Sequence, residues 1–172
     1  MRTTLASLLI AASLPALAAE TPRYGAELQG FDYPHAVKRF NFESQGNAVQ
    51  MAYMDIQPEQ ANGRTVLLMH GKNFCAATWE GSIAALSAAG YRVIAADQIG
   101  FCKSSKPAHY QYSFQQLASN THALLEQIGV DKVTVMGHSM GGMLATRYAL
   151  LYPDQVEQLV MVNPIGLEDW KT

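Results

Sequence analysis

Residues 137–141 read Gly137-His138-Ser139-Met140-Gly141, a G-x-S-x-G pattern. Glycines two positions before and two after a serine suit a sharp, strained strand-to-helix turn that leaves the serine hydroxyl exposed. The glycines make room for neighbouring backbone. A helix starting after the serine favours negative charge on its oxygen and on a tetrahedral adduct. That is the chemistry of a nucleophile at an acyl carbon. The same five residues also describe a plain helix N-cap serine beside packing glycines. Two other stretches place polar residues and glycines where strands should end: His70-Gly71-Lys72-Asn73, and Asp97-Gln98-Ile99-Gly100-Phe101-Cys102-Lys103-Ser104.

The surrounding elements have to position these residues. Thr65 to His70 and Tyr91 to Ala96 are continuous apolar runs, as in parallel strands buried on both faces. Lys132 to Met136 is a third strand, running into Gly137. Ser139 to Leu151 reads as a helix stopped by Tyr152-Pro153. Val37 to Phe42 and Val49 to Ile56 form two earlier strands about a turn at Ser44-Gln45-Gly46-Asn47, and Gln158 to Val162 forms a last one. Trp79, Ile83 and Leu86 share a helical face closed by Gly90. Ser113 with Gln116 starts another helix as a capping box, with Phe114, Leu117, Leu124, Leu125 and Ile128 on its apolar face. The order β-β-β-α-β-α-β-α-β predicts an α/β fold, a mostly parallel sheet with helices on both faces.

Taken together, the three motifs resemble the α/β-hydrolase superfamily over about residues 40–165. Set against the hydrolase fold that the motifs resemble, the sheet is truncated after about the sixth strand. The resemblance implies a Ser-acid-His triad and an oxyanion hole of two backbone amides. It makes Ser139 the nucleophile and the Met140 amide one oxyanion donor. The second donor is the Lys72 amide, with Asn73 as runner-up. Gly71 lets the backbone approach the substrate. His70, Gly71, Gly137, His138, Gly141 and Asp97 are motif residues with structural roles. His138 should point away from the serine hydroxyl, and Asp97 should organise its loop. In dehalogenases and epoxide hydrolases of the superfamily the nucleophile is Asp, so Ser139 argues against both chemistries.

The chain departs from that pattern after the elbow. The triad runs Ser, acid, His in chain order, yet no histidine follows Ser139, and the only later acids are Asp154, Glu157, Glu168 and Asp169. Glu168 and Asp169 read as surface groups. His35 and His109 precede the elbow, and His122 falls mid-helix on the expected solvent face. No pair of histidines has metal-ligand spacing, and the implied chemistry needs no metal and no cofactor. The expectation is therefore the N-terminal part of a larger serine hydrolase acting on a small molecule, inactive alone. The alternative is a non-catalytic ligand-binding member or pseudoenzyme of the same fold.

The 172 residues are 49% hydrophobic and 15% charged with a net charge of −2. That composition supports one folded domain and gives no basic field for nucleic acid. Residues 1–19 carry Arg2, an apolar run from Leu5 to Leu14, Pro15 and then Ala16-Leu17-Ala18, the layout of a cleaved secretory signal. Residues 20–35 form a lead-in segment and 36–172 the hydrolase part, with no membrane span in the mature chain. Export makes the protein periplasmic or secreted. It also allows a disulfide between Cys75 and Cys102, whose loops follow strands that the resemblance implies are neighbours; two free thiols are the alternative.

Overall fold

The computed structural model describes residues 23–167. Residues 1–19, expected to be a signal, and Glu168 and Asp169 lie outside the described residues. Six strands form one sheet: β1 (Val37–Ser44), β2 (Asn47–Ile56), β3 (Thr65–Met69), β4 (Arg92–Ala96), β5 (Val133–His138) and β6 (Val156–Val162). Their order is β1-β2-β4-β3-β5-β6. β1 pairs antiparallel with β2, and β2 antiparallel with β4, whereas β4, β3, β5 and β6 run parallel. The fold class is the expected one.

The first hairpin is tighter than its sequence suggests. Ser44 pairs directly with Asn47, so both strands reach the turn and only Gln45 and Gly46 bridge them, both at positive φ. Two consecutive left-handed residues give the turn hand that matches strand twist.

Helices cover both faces. Alternate residues of β3 point opposite ways, and both sets are buried. Leu67 and Met69 join one core with Leu117, Leu124 and Leu125 of α2 (Phe114–Gln127) and Leu144 and Tyr148 of α3 (Met140–Leu151). Val66 and Leu68 join another with Trp79 and with Ile83 of α1 (Glu80–Ala88). This two-sided burial explains the unbroken apolar run. Trp79 sits in a 3₁₀ turn, Ala76–Trp79, that leads into α1. Gly90, at φ +88°, follows the end of α1, where its amide reaches Ser87 and the Tyr91 amide reaches Leu86. That double bond is a Schellman closure.

The Ser113 hydroxyl accepts the Gln116 amide at 3.1 Å, so half of the expected capping box forms. The Gln116 side chain does not reach back. It donates to Asn120 and accepts from Gln45. Among the described residues, no helix is long and apolar enough to cross a membrane.

Candidate functional site

β5 ends at His138 and α3 begins at Met140, leaving Ser139 alone between them at φ 54°, ψ −118°. A non-glycine residue held there is strained, typically by about 1–3 kcal/mol. The glycines on either side explain how the turn closes. A Cβ on Gly137 would collide with the Gly141 carbonyl, and one on Gly141 with the Met69 carbonyl of β3. The Ser139 amide donates to Val162 at 3.2 Å, and its carbonyl accepts from Gly142 at 2.9 Å. Its side chain makes no capping bond. The serine is therefore fixed by its backbone; the residue is half-buried, and among the described residues its hydroxyl has no hydrogen-bond partner.

The loop after β3 packs directly on this turn. His70 is buried; its Nδ1 donates to the Gly71 carbonyl at 2.8 Å, and its Nε2 accepts the Gln98 amide at 3.0 Å. Those two bonds require the neutral Nδ1–H tautomer. Burial pushes the imidazole below its ordinary value. A Cβ built on Gly71 would stand 3.1 Å from His138 Nδ1 and 3.2 Å from Ser139 Cβ, so no larger residue fits without movement. The Phe74 amide closes a turn onto the Gly71 carbonyl at 3.2 Å, with Lys72 and Asn73 at its centre and Asn73 at φ 64°. Among the described residues, neither the Lys72 nor the Asn73 amide donates to a protein acceptor. The Met140 amide opens α3, where first-turn amides lack helical partners.

Asp97 joins three segments beneath the loop. It is fully buried at the end of β4. One carboxylate oxygen accepts the Ala76 amide at 2.7 Å. The other accepts the Lys103 amide at 3.0 Å and the Tyr33 hydroxyl at 2.6 Å. Burial, and then the bond to Asp97, push the Tyr33 phenol well above its ordinary value. Cys75 and Cys102 are disulfide-bonded across the same place, with Cα atoms 5.7 Å apart. The two sulfurs and an Asp97 oxygen lie within 4.8 Å of one another. With the sulfurs bonded together and the carboxylate filled by three donors, this cluster is a joint, not a ligand set.

The remaining expected residues lie elsewhere. The His138 ring turns to the β3 loop, edge-on to Phe74 at 5.5 Å and Trp79 at 6.5 Å. His122 departs from its expected solvent face. It is half-buried, stacks on Tyr152 at 3.8 Å and bonds Gln155 at 3.0 Å. Both partners arrive from beyond α3, so α2 periodicity alone could not place it. The His109 carbonyl accepts the Asn47 side chain in an exposed loop, and His35 borders a separate cavity beside α1. Asp154 is exposed, and Glu157 faces Arg64 at 3.8 Å. Among the described residues, none of these histidines or acids bonds the Ser139 hydroxyl.

The chain neighbours of the serine, Met140 and His138, each line a cavity. Met140 lines a cavity of about 470 Å³ with Gly100, Phe101, Tyr112, Phe114 and Leu117. His138 lines one of about 170 Å³ with His70, Phe74, Thr78, Trp79 and Val162. The aromatic cluster Tyr110 to Phe114 is visible in the sequence, but nothing there says that it folds back over Gly100. Tyr33, far from the motifs along the chain, gives no signal at all.

A family model described as alpha/beta hydrolase fold matches residues 64–171. A crystal structure of a probable hydrolytic enzyme from Pseudomonas aeruginosa PAO1 is 72% identical, covers 87% of this chain and 48% of its own, and superposes with a TM-score of 0.86. Bifunctional epoxide hydrolase 2 of Sus scrofa is 32% identical over 125 residues, 68% of this chain and 22% of that protein. An esterase from Exiguobacterium antarcticum is 28% identical with a TM-score of 0.63, over 69% of this chain and 43% of its own. The chain thus spans under half the length of each of these three relatives.

Proposed function

The chain belongs to the α/β-hydrolase fold family, and from that premise we propose that it carries the nucleophile and oxyanion hole of an exported serine hydrolase acting on small acyl substrates. The observation that carries the reading is Ser139 itself, held at φ 54° in a glycine-walled turn with Gly71 packed against it.

In this reading the Ser139 oxygen attacks the substrate carbonyl carbon while its proton passes to an imidazole. That base and its acid partner come from residues beyond 172. The oxygen of the tetrahedral adduct becomes an oxyanion and accepts from the Met140 and Lys72 amides, with Asn73 as the alternative second donor. Both donors are backbone groups, so the Lys72 side chain is immaterial. Collapse of the adduct breaks the bond to the alcohol or amine, which leaves with the proton from the imidazolium. Water, deprotonated by the same imidazole, then releases the acid and restores Ser139.

Relatives named epoxide hydrolases share the fold. A hydroxyl at position 139 favours acyl transfer over the carboxylate-based opening of an epoxide, as does likeness to an esterase. The disulfide favours an oxidising compartment and agrees with export. A net charge of −2 gives no reason to expect nucleic acid as a partner.

The test is hydrolysis of p-nitrophenyl butyrate by the complete protein. Ser139→Ala should lower kcat at least about a thousandfold. Turnover that survives the substitution overturns the proposal.

A further inference from the structure

The lead-in segment ahead of β1 grips the loops beside the elbow. Its backbone turns twice, the Leu28 amide donating to Gly25 and the Phe31 amide to Leu28, each at 3.0 Å. Tyr24, Phe31 and Tyr33 meet edge-on in series, at 5.4 and 5.9 Å. The last ring, half-buried, packs on the core shared by β3, β4 and α1. Its hydroxyl donates to Asp97 Oδ2 at 2.6 Å. Lys103 closes the grip. Its amide donates to the same Asp97 oxygen at 3.0 Å. Its ammonium donates to the Leu28 carbonyl at 3.1 Å and stands 4.9 Å from the centre of the Tyr33 ring.

Asp97 passes this grip to the loop that follows β3. Its other oxygen accepts the Ala76 amide at 2.7 Å. Ala76 opens the 3₁₀ turn, where the first amides have no partner within the turn, and the Cys75 side chain does not cap it. The stretch from Gly71 to Ala76 carries the Lys72 and Asn73 amides. Gly71 holds its near end against Ser139, and Asp97 holds its far end beside the disulfide. A buried carboxylate keeps its place through the donors it accepts. Without the Tyr33 hydroxyl, one amide remains on each Asp97 oxygen. The carboxylate can then turn, and the Ala76 amide turns with it. Resting on the hydrolase reading above, we propose that Tyr33 is a positioning residue of the oxyanion hole: its hydroxyl fixes Asp97, and Asp97 fixes the loop that presents the Lys72 amide to the adduct.

Tyr33→Phe removes the hydroxyl and keeps the ring. The complete protein is assayed with p-nitrophenyl butyrate, and kcat is counted per serine labelled by a fluorophosphonate, so that unfolded chains do not enter. Two inhibitors isolate the oxyanion. Ser139 adds to the carbonyl of octyl trifluoromethyl ketone, and the adduct oxygen needs the amides; octyl methyl ketone binds without that adduct. In Tyr33→Phe, kcat should fall about fivefold to tenfold with KM unchanged, because the amides act on the adduct and not on the bound ester. The Ki of the trifluoromethyl ketone should rise by the same factor, and that of the methyl ketone should not move. Loss of folded protein alone would move neither Ki. Tyr24→Ala, at the exposed outer end of the ring series, should leave every one of these values unchanged. Should Tyr33→Phe fail to fold, Lys103→Met carries the same comparison. It loosens the Tyr33 ring, keeps the amide bond to Asp97, and should shift kcat and the trifluoromethyl ketone Ki together by about twofold to threefold. Unchanged kcat and Ki, equal shifts for both ketones, or an equal loss in Tyr24→Ala overturns the proposal. A wild-type Ser139 that takes no label refutes the hydrolase reading itself, whereas a labelled Ser139 with unchanged Tyr33→Phe values refutes the role of Tyr33 alone.

Discussion

Gly71 and Ser139 are in contact across two loops that lie 68 positions apart in the chain. A Cβ on Gly71 would sit 3.2 Å from Ser139 Cβ, 3.1 Å from the His138 ring and 3.3 Å from the His138 carbonyl. The Lys72 amide therefore has its place because the preceding residue has no side chain. Gly71→Ala should shift the loop by a few tenths of an ångström, lowering kcat about tenfold and stability by about 1 kcal/mol. Gly129→Ala is the control: it carries positive φ but nothing lies within 4 Å. It should cost stability and leave kcat unchanged. Equal kcat in the Gly71→Ala variant and the wild type would show that the contact does not position the loop.

Ser139 stores strain that glycine would release. Its side chain makes no capping bond, so removing it forfeits no hydrogen bond in the fold. Ser139→Gly should raise stability by about 1 kcal/mol, the strain relieved less the entropy of glycine, and abolish turnover. Ser139→Ala keeps the strained backbone and should be neutral in stability. Urea titration distinguishes them, and a glycine variant less stable than the alanine one contradicts this account.

The disulfide ties the loop after β3 to the loop after β4. Its sequence separation is 27, a closed loop of 28 residues counting both cysteines. Losing such a crosslink costs about 3–4 kcal/mol on the chain-entropy account. A Cys75→Ser, Cys102→Ser double variant should unfold at correspondingly lower denaturant. It should also lose turnover, because the crosslink adjoins the turn that holds Lys72 and Asn73. A variant that keeps its full denaturation midpoint shows the crosslink to be idle.

Acid should weaken the fold through His70. Burial holds its imidazole below the ordinary 6.5, and a proton on Nε2 would set one donor against another at the Gln98 amide. Between the lowered folded value and 6.5 the unfolded chain binds the proton and the native chain does not. Stability from this group is therefore complete above 6.5 and lost as pH falls, by up to about 1.4 kcal/mol per pH unit. Denaturation midpoints of the wild type and His70→Gln, followed from about pH 7.5 to 5, should converge toward acid. Parallel curves would show that His70 does not titrate against folding.

The elbow was legible in the sequence because its constraints are local. Gly137, Ser139 and Gly141 answer to steric demands within one turn of chain, and the β3 and β4 runs announce two-sided burial. What escaped depends on partners distant in sequence. Tyr33 reaches Asp97 from the lead-in segment, and Gln155 and Tyr152 draw His122 off the solvent face. Gln116 abandons its capping box for Asn120 and Gln45. The two cavities escaped for the same reason, since each collects side chains from separate loops.

The central claim is that Ser139 is the nucleophile, and covalent trapping tests it most directly. The complete protein is treated with a fluorophosphonate, digested, and its adduct mapped by mass spectrometry. The phosphonyl group should appear on the peptide carrying Ser139, once per chain, and Ser139→Ala should remove it. An adduct on another residue, or labelling undiminished in Ser139→Ala, would contradict the account.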